Sequence, residues 1–213
     1  LRIVLGIIPP SEGRICVLGS PSAIPVRHRI GYLPEERGVY RKMRAAETIA
    51  YFARLRGVPG RKARATALEL LDRFGLIEFA RARNEALSKG MAQKVQLLAT
   101  IAHDPELLIL DEPFSGLDPI NQHTLEELIL DLKRRGRTIV FSTHVMQHAE
   151  RLCDRFLILA GGRKRFEGDL AEARAAFPPR LILRTPDRIE RLLAMPGVAA
   201  ATPLGGESDG ETD

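Results

Sequence analysis

The chain has 213 residues, 45% of them apolar, with 32 basic and 27 acidic side chains and a net charge of +5. That length holds one full α/β domain with a sizeable core plus a small appendage, and the composition excludes a collagen, a disulfide scaffold or a wholly disordered chain. No apolar run approaches the ~20 residues of a membrane helix. The basic excess is mostly arginine, 26 of the 32, spread along the whole chain with no block longer than the three residues of Lys133-Arg134-Arg135. Dispersed arginine is a composition bias rather than a binding stripe, so no nucleic-acid partner is expected. Cys16 and Cys153 show no metal-ligand spacing, which leaves reduced thiols as the default.

Leu1, Val4 and Leu5 have helical spacing and Gly6 supplies a stop, so the first residues read as the last turn of a helix. Arg14 to Leu18 alternates like a strand, and Arg29 to Leu33 is a second strand ended by Pro34. Helices are predicted over 46–55, 62–74 and 91–103, with Ile49 and Phe52, Leu70 and Leu71, and Val95 and Leu98 on their apolar faces. Leu107 to Leu110 is a continuous apolar run, as in a strand buried on both faces. An amphipathic helix over 121–135, a strand over 138–141, a helix over 147–152 and a strand over 156–159 follow, and Gly161-Gly162 turns the chain into Arg163 to Phe166. Strands alternating with helices predict an α/β fold with a largely parallel sheet. Beyond Gly168 the pattern changes to a small α+β unit over 169–204, with helices over 169–176 and 187–193 and strands over 181–183 and 198–201. Residues 205–213 carry four carboxylates and no base, and read as a disordered acidic tail.

Four stretches carry candidate chemistry. Leu107-Leu108-Ile109-Leu110-Asp111-Glu112 ends a buried strand in two adjacent carboxylates, at the edge where α/β proteins bind ligands. One carboxylate can hold Mg²⁺ while the next orients a water; a solvated strand end is the plainer alternative. Ser88 and Gly90 open a helix, where exposed N–H groups and the dipole favour an anion, though an ordinary serine cap would look the same. Ser115-Gly116-Leu117-Asp118-Pro119 is a tight polar turn, readable as a plain loop. His144 sits just past a strand, where a lone histidine could also be structural.

In order and spacing, these features resemble the nucleotide-binding subunit of ATP-binding-cassette (ABC) transporters over roughly residues 1–168. Leu87 to Met91 resembles the signature motif, Leu107 to Glu112 the Walker B motif, Ser115 to Asp118 the D-loop, and His144 the switch histidine. Gly31-Tyr32-Leu33-Pro34-Glu35 resembles the Q-loop region with Glu35 where most of the family has glutamine, and Lys89 and Met91 stand where the signature usually has Gly and Gln. These departures resemble the exporter branch that includes sodium-extrusion and multidrug subunits. The resemblance implies a P-loop NTPase-like fold with a helical subdomain at about 43–103, ATP as ligand and Mg²⁺ as cofactor. It implies Asp111 positioning Mg²⁺, Glu112 as general base, and His144 and Glu35 at the nucleotide. Ser88 and Gly90 would reach the γ-phosphate held by a second ATPase subunit, with Asp118 coupling the two sites. A transmembrane permease is the implied partner, and the inner face of the plasma membrane, on its cytoplasmic side, the implied location.

No G-x-x-x-x-G-K-[ST] occurs in these residues, nor any Gly-Lys dipeptide. That loop supplies the backbone cradle, the phosphate lysine and the Mg²⁺-binding hydroxyl. The expectation is therefore a chain truncated just after its P-loop, with apolar surface left uncovered, belonging to a protein that hydrolyses ATP although these residues alone do not. The competing readings are a non-transport cassette ATPase and a catalytically dead interaction module.

Overall fold

The computed structural model describes residues 1–36, 38–176, 183, 189–198 and 200–202. Three strands form a parallel sheet in the order β1 (Ile30–Leu33), β2 (Leu107–Asp111), β3 (Thr138–Ser142). Residue Ile30 pairs with Leu107 and Leu33 with Leu110, while Leu107 pairs with Thr138 and Asp111 with Ser142. Successive side chains of a strand point to opposite faces. Leu108 and Leu110 of β2 accordingly enter one apolar cluster, while Leu107 and Ile109 enter another with Val17, Ala23 and Ile30. This two-sided burial is what the continuous apolar run over 107–110 encodes.

The larger cluster joins the sheet to helices α1 (Ala45–Leu55), α2 (Gly60–Arg73), α3 (Lys89–Ile101) and α4 (Pro119–Arg134). Ala53, Ala63 and Ala67 have no solvent exposure. Small side chains at the seam let the α1 and α2 backbones approach closely, and Ile49 and Leu71 fill the space between them. A polar tie crosses this region: the Asn84 amide donates to Thr48 Oγ1 at 2.7 Å and to the Tyr40 carbonyl at 2.9 Å. After β3 come α5 (Met146–Leu152), β4 (Phe156–Ala160), β5 (Arg163–Gly168), α6 (Leu170–Ala176) and α7 (Ile189–Leu193).

At the start of the chain, Leu5 N–H donates to the Leu1 carbonyl, Gly6 N–H to Ile3 and Ile7 N–H to Arg2. With Gly6 at φ +68°, this is the bonding of a Schellman helix ending, as the Leu1–Gly6 spacing predicts. Three expectations need correction. Residues 14–18 form no strand; Val17 and Ser20 instead exchange hydrogen bonds across a two-residue turn, with Leu18 and Gly19 both at positive φ. Val17 is buried as its alternation requires, but it faces the smaller cluster without a ladder. Strand β4 does not join the parallel sheet. It pairs antiparallel with β5, because Gly161 and Gly162, at φ +59° and +70°, make the tight turn that folds adjacent strands back on each other. Leu157 and Leu159 of β4 and Val140 of β3 are exposed. Of the 169–204 region, α6 and α7 are present, while Val198, Ala200 and Ala201 are not in a strand. The predicted strand at 181–183 and the tail at 205–213 fall wholly or mostly outside the described residues.

Candidate active site

Parallel strands end on the same edge, so the residues that follow β1, β2 and β3 meet there. A cleft of about 440 Å³ opens at this edge, lined by Glu35 and Glu36 after β1, Asp111, Glu112, Pro113 and Ser115 at the end of β2, and Lys89, Gln93 and Gln96 of α3. The register places Ser142 opposite Asp111. Ser142 Oγ donates to Asp111 Oδ1 at 2.6 Å and accepts from the Glu112 backbone N–H at 3.1 Å. One hydroxyl thus fixes both members of the carboxylate pair.

Glu112 has φ +44°, in the left-handed region that a glutamate rarely adopts. Such a conformation costs roughly 1–3 kcal/mol and persists only where its surroundings over-determine it. Several contacts hold the turn. The Gln93 amide donates to the Pro113 carbonyl at 3.1 Å and to the Ser115 carbonyl at 3.4 Å, and Pro113 and Phe114 are buried. The turn re-aims the Glu112 side chain, which is 19% exposed, so that Oε1 lies 3.0 Å from His144 Nδ1. His144 itself is held by a short turn in which Val145 N–H donates to Thr143 Oγ1 at 3.1 Å. On the strand side, burial and the negative charge of Asp111 raise the Tyr32 hydroxyl above its ordinary pKa.

Glu35, Asp111, Glu112 and His144 therefore gather at one place. Ser88, Gly90 and Asp118 form a second group beside it. Ser88 caps α3, its Oγ accepting from Met91 N–H at 3.3 Å. Asp118 caps α4, accepting from Asn121 N–H at 2.9 Å, a bond that lowers its carboxyl below the usual range. Both are thus helix caps, which is the plainer reading of Ser88, whereas the stretch over 115–119, readable as a plain loop, ends in a cap. The two helix starts lie close together: a Cβ on Gly90 would meet Asn121 Nδ2 at 2.9 Å and Asp118 Oδ2 at 3.9 Å. A larger residue at position 90 would have to displace the Asn121 amide, which is bonded to Asp118 Oδ2. Lys89 reaches across the same turn, its Nζ 2.9 Å from where a Cβ on Gly116 would stand.

The donors that face the cleft are oxygens, and Asp111 is anchored by a hydroxyl rather than an ion pair. That set suits a hard cation held by one or two carboxylates and completed by phosphate and water. Among the described residues no three His, Cys, Asp or Glu side chains form a dedicated cage, which Mg²⁺ does not need. Sequence reasoning missed Gln93 and Ser142. The first lies in mid-helix with no spacing that marks it, and the second becomes visible only once the β2–β3 register is known.

Residues 1–115 match the ABC transporter family. An uncharacterised ABC transporter ATP-binding protein of Alkalihalophilus pseudofirmus is 42% identical over 92% of this chain and 74% of its own length. A Nod factor export ATP-binding protein of Sinorhizobium fredii is 40% identical over 78% of this chain, which spans only half of that protein. A solved structure of an ATP-binding subunit of an ABC transporter superposes with a TM-score of 0.75 at 32% identity, covering 83% of this chain and 75% of that one.

Proposed function

The chain belongs to the ATP-binding proteins of ABC transporters, and from that premise we propose that it is the ATP-hydrolysing part of an exporter that drives a separate membrane permease. The observation that carries this reading is the Glu112–His144 pair, a carboxylate aimed by a left-handed backbone at an imidazole nitrogen 3.0 Å away. Glu112 is assigned as the general base: Oε1 faces His144, and Oε2 accepts the proton of the attacking water. His144 orients that carboxylate and contacts the terminal phosphate. Asp111, steadied by Ser142, holds Mg²⁺ directly or through water. Bound there, Mg²⁺ supplies neutralisation of the charge on the transferred phosphoryl group.

Ser88, Gly90 and Asp118 lie outside the cleft lining, on a neighbouring surface. This supports their assignment to a second ATPase subunit, whose nucleotide Ser88 and Gly90 would meet and to whose site Asp118 would couple. In this reading residues 1–168 form the ATPase domain, 43–103 its helical subdomain, and 169–204 an accessory unit. The permease is assigned to the helical subdomain next to the Glu35 loop, where exposed Tyr40 stacks on Phe52 at 6.3 Å and meets Tyr51 edge-on at 5.8 Å. Among the described residues no helix is long and apolar enough to cross a membrane, so attachment to the inner face of the membrane is assigned to that permease. Export as the direction is supported by the name of the Sinorhizobium relative and by Glu35 and Lys89 at their two positions.

The test is phosphate release from Mg²⁺-ATP by the 213 residues and by the same chain extended ahead of Leu1 with a P-loop segment. The first is expected to show no turnover. The second is expected to turn over and to lose about 10²–10⁴-fold in rate with Glu112→Gln. Turnover indifferent to Glu112→Gln would overturn the assignment of the base, and turnover by the 213 residues would overturn the need for the added loop.

A further inference from the structure

Behind the cleft, α4 and α5 meet at a buried charged node that the assigned chemistry does not use. Glu126 of α4 is 5% exposed, and its carboxylate accepts from His148 Nδ1 at 3.1 Å and pairs with Arg151 Nη2 at 2.9 Å. An ionised carboxylate only accepts, so Nδ1 of His148 carries the proton. Both partners are on α5, the helix that begins two residues after His144. The His148 ring also lies flat on Phe114, with centroids 4.0 Å apart and planes within 10°. Phe114 meets Phe141 edge-on at 6.1 Å, and Phe141 precedes Ser142 on β3.

Phe114 stands two residues after Glu112 in the turn whose left-handed backbone needs support from several sides. Ser142 holds the front of that turn and Gln93 its carbonyls. The ring of Phe114 is its anchor toward α5, and His148 is what the ring lies on. We propose that His148 is a positioning residue whose ring, stacked flat on Phe114, holds the Glu112 turn against His144. Helix α4 enters the same node through Glu126, so the Asp118 turn, the Glu112 turn and the His144 turn share one support. The proposal rests on Glu112 and His144 being the reacting pair, but its test reads their contact rather than turnover, so the two can fail separately.

The experiment is a double-mutant cycle on the 213-residue chain, read in the imidazole NMR signals of His144. Glu112→Gln is expected to shift those signals, because it alters the group 3.0 Å from Nδ1. In a His148→Asn background, which removes the ring, that shift is expected to fall by at least about half. In His148→Phe, which keeps a flat ring on Phe114, it is expected to persist. Phe114→Leu removes the ring from the other side and serves if His148→Asn does not fold; it is expected to behave like the asparagine variant. An undiminished Glu112→Gln shift in a folded His148→Asn or Phe114→Leu protein would overturn the proposal. So would loss of the shift in His148→Phe, since the stack would then not be what carries it.

Discussion

Replacing Gly31 with alanine tests how tightly the site edge is braced against α3. Gly31 is buried in β1, and a Cβ there would stand 2.7 Å from the Thr100 carbonyl oxygen, 2.8 Å from Leu108 Cδ1 and 3.1 Å from Pro105 Cγ. Ordinary contact begins near ~3.4 Å, so the first two contacts fall short by roughly half an ångström or more. Leu108 can change rotamer only inside a packed cluster, where it is 1% exposed, and the Thr100 oxygen belongs to the α3 backbone. Relief must come from moving β1 away from α3. Overpacking of this kind costs about 1–3 kcal/mol, offset by less than about 1 kcal/mol from the lower flexibility of alanine in the unfolded chain. A net loss of about 1–2 kcal/mol is expected, read as a lower urea midpoint at constant slope. Gly38→Ala is the control, since its Cβ would meet nothing closer than 3.7 Å, and it should shift stability by less than about 0.5 kcal/mol. Because Glu35 stands two residues past the end of β1, Gly31→Ala should also weaken any nucleotide contact made by that loop. Equal midpoints for the two variants would refute the close-packing argument.

Two further outcomes follow from side chains near the sheet. Burial lowers the pKa of His103 to about 4, its Nε2 facing the Ile30 carbonyl at 3.2 Å and its Nδ1 left without a partner. The unfolded chain takes up a proton near pH 6.5 that the folded chain refuses until about pH 4. Stability is therefore full above pH 6.5 and falls as the pH drops toward 4, by about 3 kcal/mol for a shift of this size; denaturant midpoints measured from pH 7.5 to 4.5 should drop more steeply for the native chain than for His103→Gln. Ser142→Ala removes the hydroxyl shared by Asp111 and the Glu112 N–H, and should cost about 1–2 kcal/mol of stability. It should also lower the turnover of the P-loop-extended chain about tenfold or more, whereas Ser142→Thr, which keeps a hydroxyl, should restore most of it.

The parallel core was readable because its strands are short apolar runs between amphipathic helices. Leu107 to Leu110 could hardly be anything but a doubly covered strand, and α1 to α5 begin within about three residues of their predicted starts. Where periodicity failed, a local turn had decided the pairing. Phe156 to Ala160 has the composition of a parallel core strand, but the Gly161-Gly162 turn commits it to β5. Val17 has the burial of a strand residue without a ladder to belong to. At the site, the carboxylates and the histidine at the strand ends carried motif spacing and were found. The residues that support them did not. Gln93, Phe114 and His148 act through a carbonyl, a ring face and a buried carboxylate, and nothing in their spacing marks those partners.

The sheet explains why motifs so far apart in the chain serve one place. A parallel sheet sends every strand toward the same edge, so each segment that leaves β1, β2 and β3 must pass over it before its helix begins. Glu35, Asp111 with Glu112, and His144 are the residues of those three departures. Their mutual placement then depends on register alone. A slip of β3 by one residue would set Phe141 or Thr143 opposite Asp111, turn Ser142 to the other face and remove the hydroxyl that steadies both carboxylates. The pairing is protected because Ile139 and Phe141 of β3 pack with Leu108 and Leu110 on the larger cluster while Thr138 and Val140 are exposed, and a one-residue slip would exchange the two sets. Core packing and site geometry are thus one constraint, imposed by the burial of Leu107 to Leu110 and felt at the next two residues of the chain.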